Sequence, residues 1–302
     1  MKKLLGACAV LAVAAASLAA WSVAAPTQGG AAHPTARAAK LPALPPEIKQ
    51  HKRWSIGVKC DSPPFGYINV RGEHAGFDVE IAKWFSRYAF GRPNRVTYVC
   101  TPTAAREPAL TTGRVDLEIA TFTYTQDRDT RIDFSIPYYR ATGRLLVPNS
   151  SAIKSTADLA GKTVTTTRGS IYDRWVTKCF PNTKLLVTDT VTNAQLALQQ
   201  GRADTFMFDD TVVLGIAVTD NSLKLTDDGF LQAPYGIGIK QDNVAMKKWV
   251  DSRLNLMRQK DLFNTILKAN VPARVFPSFQ KNILRPKQTF QYNAVDPSTV
   301  CP

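Results

Sequence analysis

Two short stretches of this chain carry residue types suited to gripping an anion. Thr125-Gln126-Asp127-Arg128-Asp129 reads as the start of a short helix after the strand bearing Thr121 and Thr123, which places Arg128 beside a crevice. An arginine fork holds a carboxylate through two parallel hydrogen bonds, which lysine cannot do. Gly169-Ser170 follows a strand-like run, Lys162 to Thr167, and precedes a helix-like one, Tyr172 to Cys179. Backbone N–H groups at such a helix start, with the Ser170 hydroxyl, form a cradle for a carboxylate. Each feature also has an ordinary reading: a surface ion pair for Arg128 and a helix N-cap for Ser170. Motifs for covalent or redox chemistry are missing, since the sequence contains no GxGxxG, Walker loop, HExxH or GxSxG and nothing resembling a catalytic triad. With His33, His51 and His74 as its histidines and no CxxC, neither a metal site nor a cofactor is expected.

The elements that must position these residues follow from hydrophobic spacing. Trp54 to Lys59 reads as a buried strand. After Gly76, residues Phe77, Ile81, Trp84, Phe85 and Tyr88 recur at helical spacing, with Asp78 and Glu80 in the first turn where the helix dipole favours them. Arg95 to Cys100 is a second strand, a short helix runs from about Ala104 to a stop at Gly113, and a strand follows over Val115 to Phe122. An internal echo then appears: Ala109-Leu110-Thr111-Thr112-Gly113-Arg114-Val115-Asp116 is matched by Ala197-Leu198-Gln199-Gln200-Gly201-Arg202-Ala203-Asp204. Each is a helix end, a glycine stop and a strand start. One such unit per half implies two similar α/β lobes with largely parallel sheets, whose ligands sit beyond the carboxyl ends of the strands. The residues just after the echoes, Ile119 to Thr123 and Phe206 to Asp210, therefore line the expected cleft. The first lobe is expected over 53–138 and 239–272, the second over 139–238 with hinge strands at its ends, and 273–302 as an extended tail, strapped down or partly loose. A helix carrying Met246, Trp249, Val250, Leu254 and Met257 on one face returns the chain to the first lobe.

Export is written at the amino end. Lys2 and Lys3 precede an uncharged, mostly Ala, Leu and Val stretch from Leu4 to Ala25, which reads as a signal peptide over 1–24, with nearby alternative cleavage points and a retained anchor as the other reading. Residues 25–52, rich in Ala, Pro and Gly, read as a linker. No later run approaches ~20 uninterrupted apolar residues, so the exported chain is expected to be soluble in a periplasmic or extracytoplasmic compartment. Among 302 residues, 44% are hydrophobic, enough for a sizeable core, and this excludes disordered and fibrous classes. The net charge of +14 is scattered and accompanies no groove-reading motif, so nucleic acid is not an expected partner. Of five cysteines, Cys8 falls in the signal, leaving Cys60, Cys100, Cys179 and Cys301 for two disulfides. Three pairings are open; Cys60 with Cys100 and Cys179 with Cys301 is favoured because the first pair ends two apolar strands of one region.

Four segments occur in a telling order: Gly76-Phe77-Asp78-Val79-Glu80-Ile81-Ala82, Gly113-Arg114-Val115-Asp116-Leu117, Thr123-Tyr124-Thr125-Gln126-Asp127-Arg128 and Ile132-Asp133-Phe134-Ser135-Ile136-Pro137-Tyr138-Tyr139. Together they resemble the bacterial extracellular solute-binding proteins of family 3, the amino-acid receptors of ABC importers, over about residues 53 to 270. The resemblance implies a two-lobed type II periplasmic binding fold that closes on a free amino acid and offers it to permease subunits, as a monomer and without catalysis. It assigns Arg128 and Thr123 to the ligand α-carboxylate, Ser170 to a donor from the second lobe, and Asp209 to the α-ammonium group. By likeness to the glutamate/aspartate receptors, Lys59 and Arg106 face a distal carboxylate, with Thr103 and Thr121 as neighbouring hydroxyls. Thr121 stands where glutamine-type receptors have glycine and Thr103 where they have a stacking aromatic, so an acidic ligand is expected. The histidine of some acidic-ligand members is replaced by Val191 or Thr192. The alternative is a cyclohexadienyl dehydratase on the same fold, with Glu118 or Asp210 as its acid.

Overall fold

The computed structural model describes residues 41–293 and 295–302. The expected signal peptide, and the linker as far as Lys40, lie outside the described residues. In chain order the elements are α1 (Pro46–His51), β1 (Trp54–Val58), β2 (Asp61–Ser62), β3 (Gly66–Ile68), β4 (His74–Ala75), α2 (Phe77–Phe90), β5 (Val96–Cys100), α3 (Arg106–Thr111), β6 (Leu117–Glu118), α4 (Gln126–Asp129) and β7 (Ile132–Phe134). There follow β8 (Tyr139–Pro148), β9 (Thr163–Thr167), α5 (Ile171–Cys179), β10 (Lys184–Thr188), α6 (Val191–Gln199), β11 (Thr205–Asp209), α7 (Asp210–Thr219), β12 (Leu223–Leu225) and β13 (Phe230–Tyr235). The chain ends with β14 (Gly238–Lys240), α8 (Val244–Gln259), α9 (Leu262–Asn270) and α10 (Phe276–Gln280).

Two sheets organise these elements. The first has the order β5-β1-β6-β14-β7 and the second β10-β9-β11-β8-β12, with β13 also paired to β8. In each, the second strand of that order is flanked by parallel partners, β5 and β6 around β1, and β10 and β11 around β9. Strand β1 is buried at four of its five positions, as expected for a parallel strand covered on both faces. The expectation of mostly parallel sheets is corrected: the other side of each sheet is antiparallel. Strand β14 runs antiparallel to β6 and β7, and β8 runs antiparallel to β11, β12 and β13. Strands that carry the chain between lobes arrive without a helical crossover, so nothing constrains them to be parallel.

The sequence echo has a structural counterpart. Helices α3 and α6 both end before a glycine in the left-handed region, Gly113 at φ 71° and Gly201 at φ 68°. The aspartates that follow then dock on β1 and β9, the corresponding strands of the two lobes. Asp116 Oδ2 accepts from Ser55 N and Asp204 Oδ2 from Thr163 N, each at 2.7 Å.

Packing knits distant segments together. Trp54 on β1 lies 5.2 Å from Trp249 on α8, and Phe85 on α2 meets the same indole edge-on at 5.4 Å, so the returning helix completes the core of the first lobe. Gly76, at φ 116°, starts α2 where a Cβ would lie 2.3 Å from the Phe65 carbonyl oxygen; no L side chain fits there.

Of the two terminal segments, the first departs from expectation and the second takes the more ordered of its two expected forms. Residues 46–51, inside the expected linker, form α1, whose Ile48 is fully buried. Asn243 Nδ2 donates to Glu47, and Arg253 donates to the Pro42 carbonyl. Burying Ile48 contributes roughly 2 kcal/mol, which anchors a helix too short to form alone. The tail 273–302 opens with α10 and then runs as an ordered strap. Leu284 N and Asn282 O bond to Tyr138 and Arg140 at the start of β8, and the Tyr292 ring stacks on Tyr124 at 4.0 Å. Trp175 Nε1 on α5 donates to the Val300 carbonyl at 2.8 Å. Disulfides join Cys60 to Cys100 and Cys179 to Cys301.

Candidate functional site

The singled-out residues come from the carboxyl ends of the parallel strands of both sheets. Lys59 follows β1, Thr103 follows β5, Thr121 and Thr123 follow β6, Ser170 follows β9, and Asp209 ends β11. Each is at most 4% exposed, and direct contacts join the two lobes around them. Thr167 Oγ1 donates to Thr103 Oγ1 at 3.2 Å, and Arg128 Nη2 donates to the Gly169 carbonyl at 2.7 Å. At the rim, Val191 N at the start of α6 donates to Asp61 Oδ2 at 2.9 Å, and Arg174 donates to Asp127 at 2.7 Å. The lobes are closed on one another.

Arg128 is held by its own helix start. Thr125 caps α4 by accepting from Arg128 N at 3.1 Å, and Arg128 Nη1 donates to the Thr123 carbonyl at 2.6 Å. Its Nε approaches Glu107 at 3.3 Å, so the ion pair foreseen for a surface arginine exists, on a side chain only 3% exposed. Burial, and then the neighbouring charge of Arg106, lower its pKa to about 9. Opposite, Ser170 is both N-cap and site residue. Its Oγ accepts from Asp173 N at 3.2 Å and lies 3.2 Å from Thr166 Oγ1.

Asp209 is fixed by two phenols. Tyr172 OH donates to Oδ1 at 2.6 Å and Tyr235 OH to Oδ2 at 2.8 Å. Burial raises its pKa, against the pull of those hydroxyls and of Arg106 and Arg128. A carboxylate oxygen accepts more than one hydrogen bond, so both retain capacity for a further donor.

Lys59 and Arg106 are treated differently by their surroundings. Lys59 Nζ pairs with Asp61 at 3.0 Å and donates to Thr103 Oγ1 at 3.3 Å; burial depresses its pKa. Arg106 donates from Nε to the Thr103 carbonyl at 3.0 Å and from Nη1 to the Ala120 and Thr121 carbonyls at 3.1 and 3.0 Å. Its guanidinium carbon lies 4.3 Å from the centre of the Phe122 ring, a cation–π contact. It is 4% exposed and, among the described residues, forms no ion pair.

Sequence reasoning missed several participants. Asp78, read as a helix-dipole residue, is fully buried and accepts from Thr121 N at 2.8 Å and from Tyr138 OH at 2.9 Å. It thereby holds Thr121 at φ 47°, a conformation costly for a β-branched residue. Burial raises the pKa of Asp78 to about 7. Tyr172 and Tyr235 gave no signal because an aromatic in a helix or a returning strand reads as core. Glu118 is also fully buried, and burial pushes its carboxyl to about 8.

The family described as bacterial extracellular solute-binding proteins, family 3, matches residues 55–271. The chain is 31% identical over 223 residues to the ABC transporter glutamine-binding protein GlnH of Bacillus subtilis, covering 73% of this chain and 82% of that protein. It is 28% identical over 230 residues to the glutamate-binding protein GluB of Corynebacterium efficiens, covering 72% of this chain and 78% of that one. Among solved structures, the cysteine-binding protein of Campylobacter jejuni superposes with a TM-score of 0.73 at 29% identity, over 75% of this chain and 92% of its own.

Proposed function

The chain belongs to the bacterial extracellular solute-binding proteins, family 3, as the substrate-binding protein of an amino-acid ABC transporter, and within that role we propose that its ligand is an acidic amino acid, glutamate or aspartate. The observation that carries this reading is Arg106, a buried guanidinium without a carboxylate partner among the described residues. Any amino acid offers a carboxylate to Arg128 and an ammonium to Asp209. A buried charge costs several kcal/mol unless it is paired, and a distal carboxylate is the group that pairs Arg106 and shares Lys59 with Asp61. In this reading the α-carboxylate takes the place of the Gly169 carbonyl on Arg128, with the Thr123 and Ser170 hydroxyls beside it. Thr103 and Thr121 border the distal group.

Residues 138–143 and 234–238, where the chain crosses between the sheets, act as the hinge. Closure presents the ligand to permease subunits; the protein works as an exported monomer, without turnover. One observation favours a second reading: Glu118 is a fully buried carboxyl whose pKa burial raises to about 8, the type of group a dehydratase uses as its acid.

Thermal unfolding of ligand-stripped protein against the twenty amino acids and prephenate separates these readings, because a ligand that binds the native state alone raises the midpoint. The expected result is a shift with glutamate or aspartate. A shift with glutamine alone would discard the acidic ligand, and turnover of prephenate would replace the receptor reading by the enzyme.

A further inference from the structure

The amino-acid reading gives Glu118 no task. It ends β6 with Gly57 of β1 on one side and Gly238 of β14 on the other. Its room is made by Gly57, where a Cβ would lie 2.1 Å from Glu118 Oε1. Oε2 accepts from Thr101 Oγ1 at 2.9 Å, while Oε1, fully buried, has no hydrogen-bond partner among the described residues. Lys59 and Arg106 both favour its charged form electrostatically, yet Lys59 pairs with Asp61 and Arg106 with backbone carbonyls. Gly57, the partner of Glu118, lies two residues before Lys59 in the chain, and Arg106 grips the carbonyl of Ala120 two residues beyond Glu118, so a half-satisfied carboxyl group stands one step back from both cations.

We propose that Glu118 selects between a carboxylate and a carboxamide at the far end of the ligand, because its own carboxyl group competes with the ligand's for Lys59 and Arg106. The proposal rests on the amino-acid receptor reading and deepens it. While Glu118 keeps its proton, both cations are available to an anionic side chain. Once it is charged, it neutralises part of their field, and an acidic ligand binds at full strength only by returning a proton from solvent to Glu118. Burial raises its pKa to about 8, against Thr101, Arg106, Lys59 and Arg114, which all favour the charged form. The other charges around the two cations are Asp61 on Lys59, Asp78 behind Thr121, Arg128 in the same lobe and Asp209 across the cleft. Lys59 is itself depressed by burial, so a test must separate its proton from that of Glu118.

The experiment is calorimetric titration of the exported protein and of E118Q with L-glutamate and L-glutamine at pH 6.5 and pH 9. In the unsubstituted protein, glutamate affinity is expected to fall about tenfold relative to glutamine, the loss set by a group titrating one unit below the upper pH. Glutamine corrects for the ligand ammonium, Arg128 and Asp209. In E118Q the ratio of the two affinities should stay constant between the two pH values. If E118Q keeps the original pH dependence, Lys59 is the titrating group and the proposal is overturned. Failure of the acidic reading looks different: glutamine alone binds the unsubstituted protein at pH 6.5. The selector role then stands if E118Q admits glutamate and falls if it does not. Should E118Q fail to fold, titration of the unsubstituted protein at pH 8 in phosphate and in Tris reads the proton directly. Uptake of about half a proton with glutamate but not glutamine supports the proposal, and equal uptake with both overturns it.

Discussion

Arg128 and Arg106 approach the same aromatic ring, at 5.1 and 4.3 Å from the centre of Phe122, but their substitution should have different outcomes. In the proposed site Arg128→Ala removes the partner of the α-carboxylate common to every amino acid, and unpairing a buried charge costs about 3–5 kcal/mol. All amino acids should lose a hundredfold or more in affinity, measured by calorimetry. Arg106→Ala should weaken glutamate at least tenfold more than glutamine; an equal loss for both would remove Arg106 from the distal pocket. At this scale the sequence was informative about residues that stand in motifs and silent about those that act across the fold. Asp78 sits in a helix first turn where an acid needs no explanation, and its partner Tyr138 lies 60 residues away. The phenols on Asp209 are apolar by composition and polar only by position.

Element boundaries show where hydrophobic spacing carries information. Helix α2 matches its expected face because its apolar residues recur over fourteen positions. The strand expected over 115–122 shrinks to Leu117–Glu118, since the residues beyond it turn into the cleft instead of pairing. Mixed pairing within the sheets was not legible, because spacing within a strand says nothing of its direction. The echo was legible, and its two aspartates make a prediction. Asp116 is largely shielded and Asp204 exposed; Asp116→Ala should cost about 1.5–3 kcal/mol, the range for a hydrogen bond to a charged group, and Asp204→Ala under about 1 kcal/mol. Urea unfolding midpoints measure both, and equal losses would mean that burial does not set the difference.

For the molecule as a whole, buried carboxyls dictate how stability depends on pH. Glu118 is raised to about 8, and Asp78 and Asp210 to about 7, in each case by burial. Such a group is protonated in the fold while the unfolded chain, near pH 4 to 4.5, has already released its proton. Its contribution is fully present below the unfolded value and is lost as pH rises through the folded one. Ligand-free protein should therefore lose stability steadily from about pH 4.5 toward pH 8, seen as a falling urea midpoint. A rising midpoint over that interval would mean that these carboxyls are charged in the fold.

The strap has one more effect, and it concerns what happens when the backbone is cut. The bond between Cys179 and Cys301 spans 122 residues and turns α6, α7, α8, α9 and the second crossing between the lobes into one covalent ring. A protease that nicks any surface loop inside that ring produces two chain ends but no fragment. Both pieces stay attached through sulfur and remain positioned to carry Asp209 opposite Arg128. For a receptor exposed outside the cytoplasm, a single clip then shows as two bands on a reducing gel and one on a non-reducing gel, with binding retained in the clipped molecule.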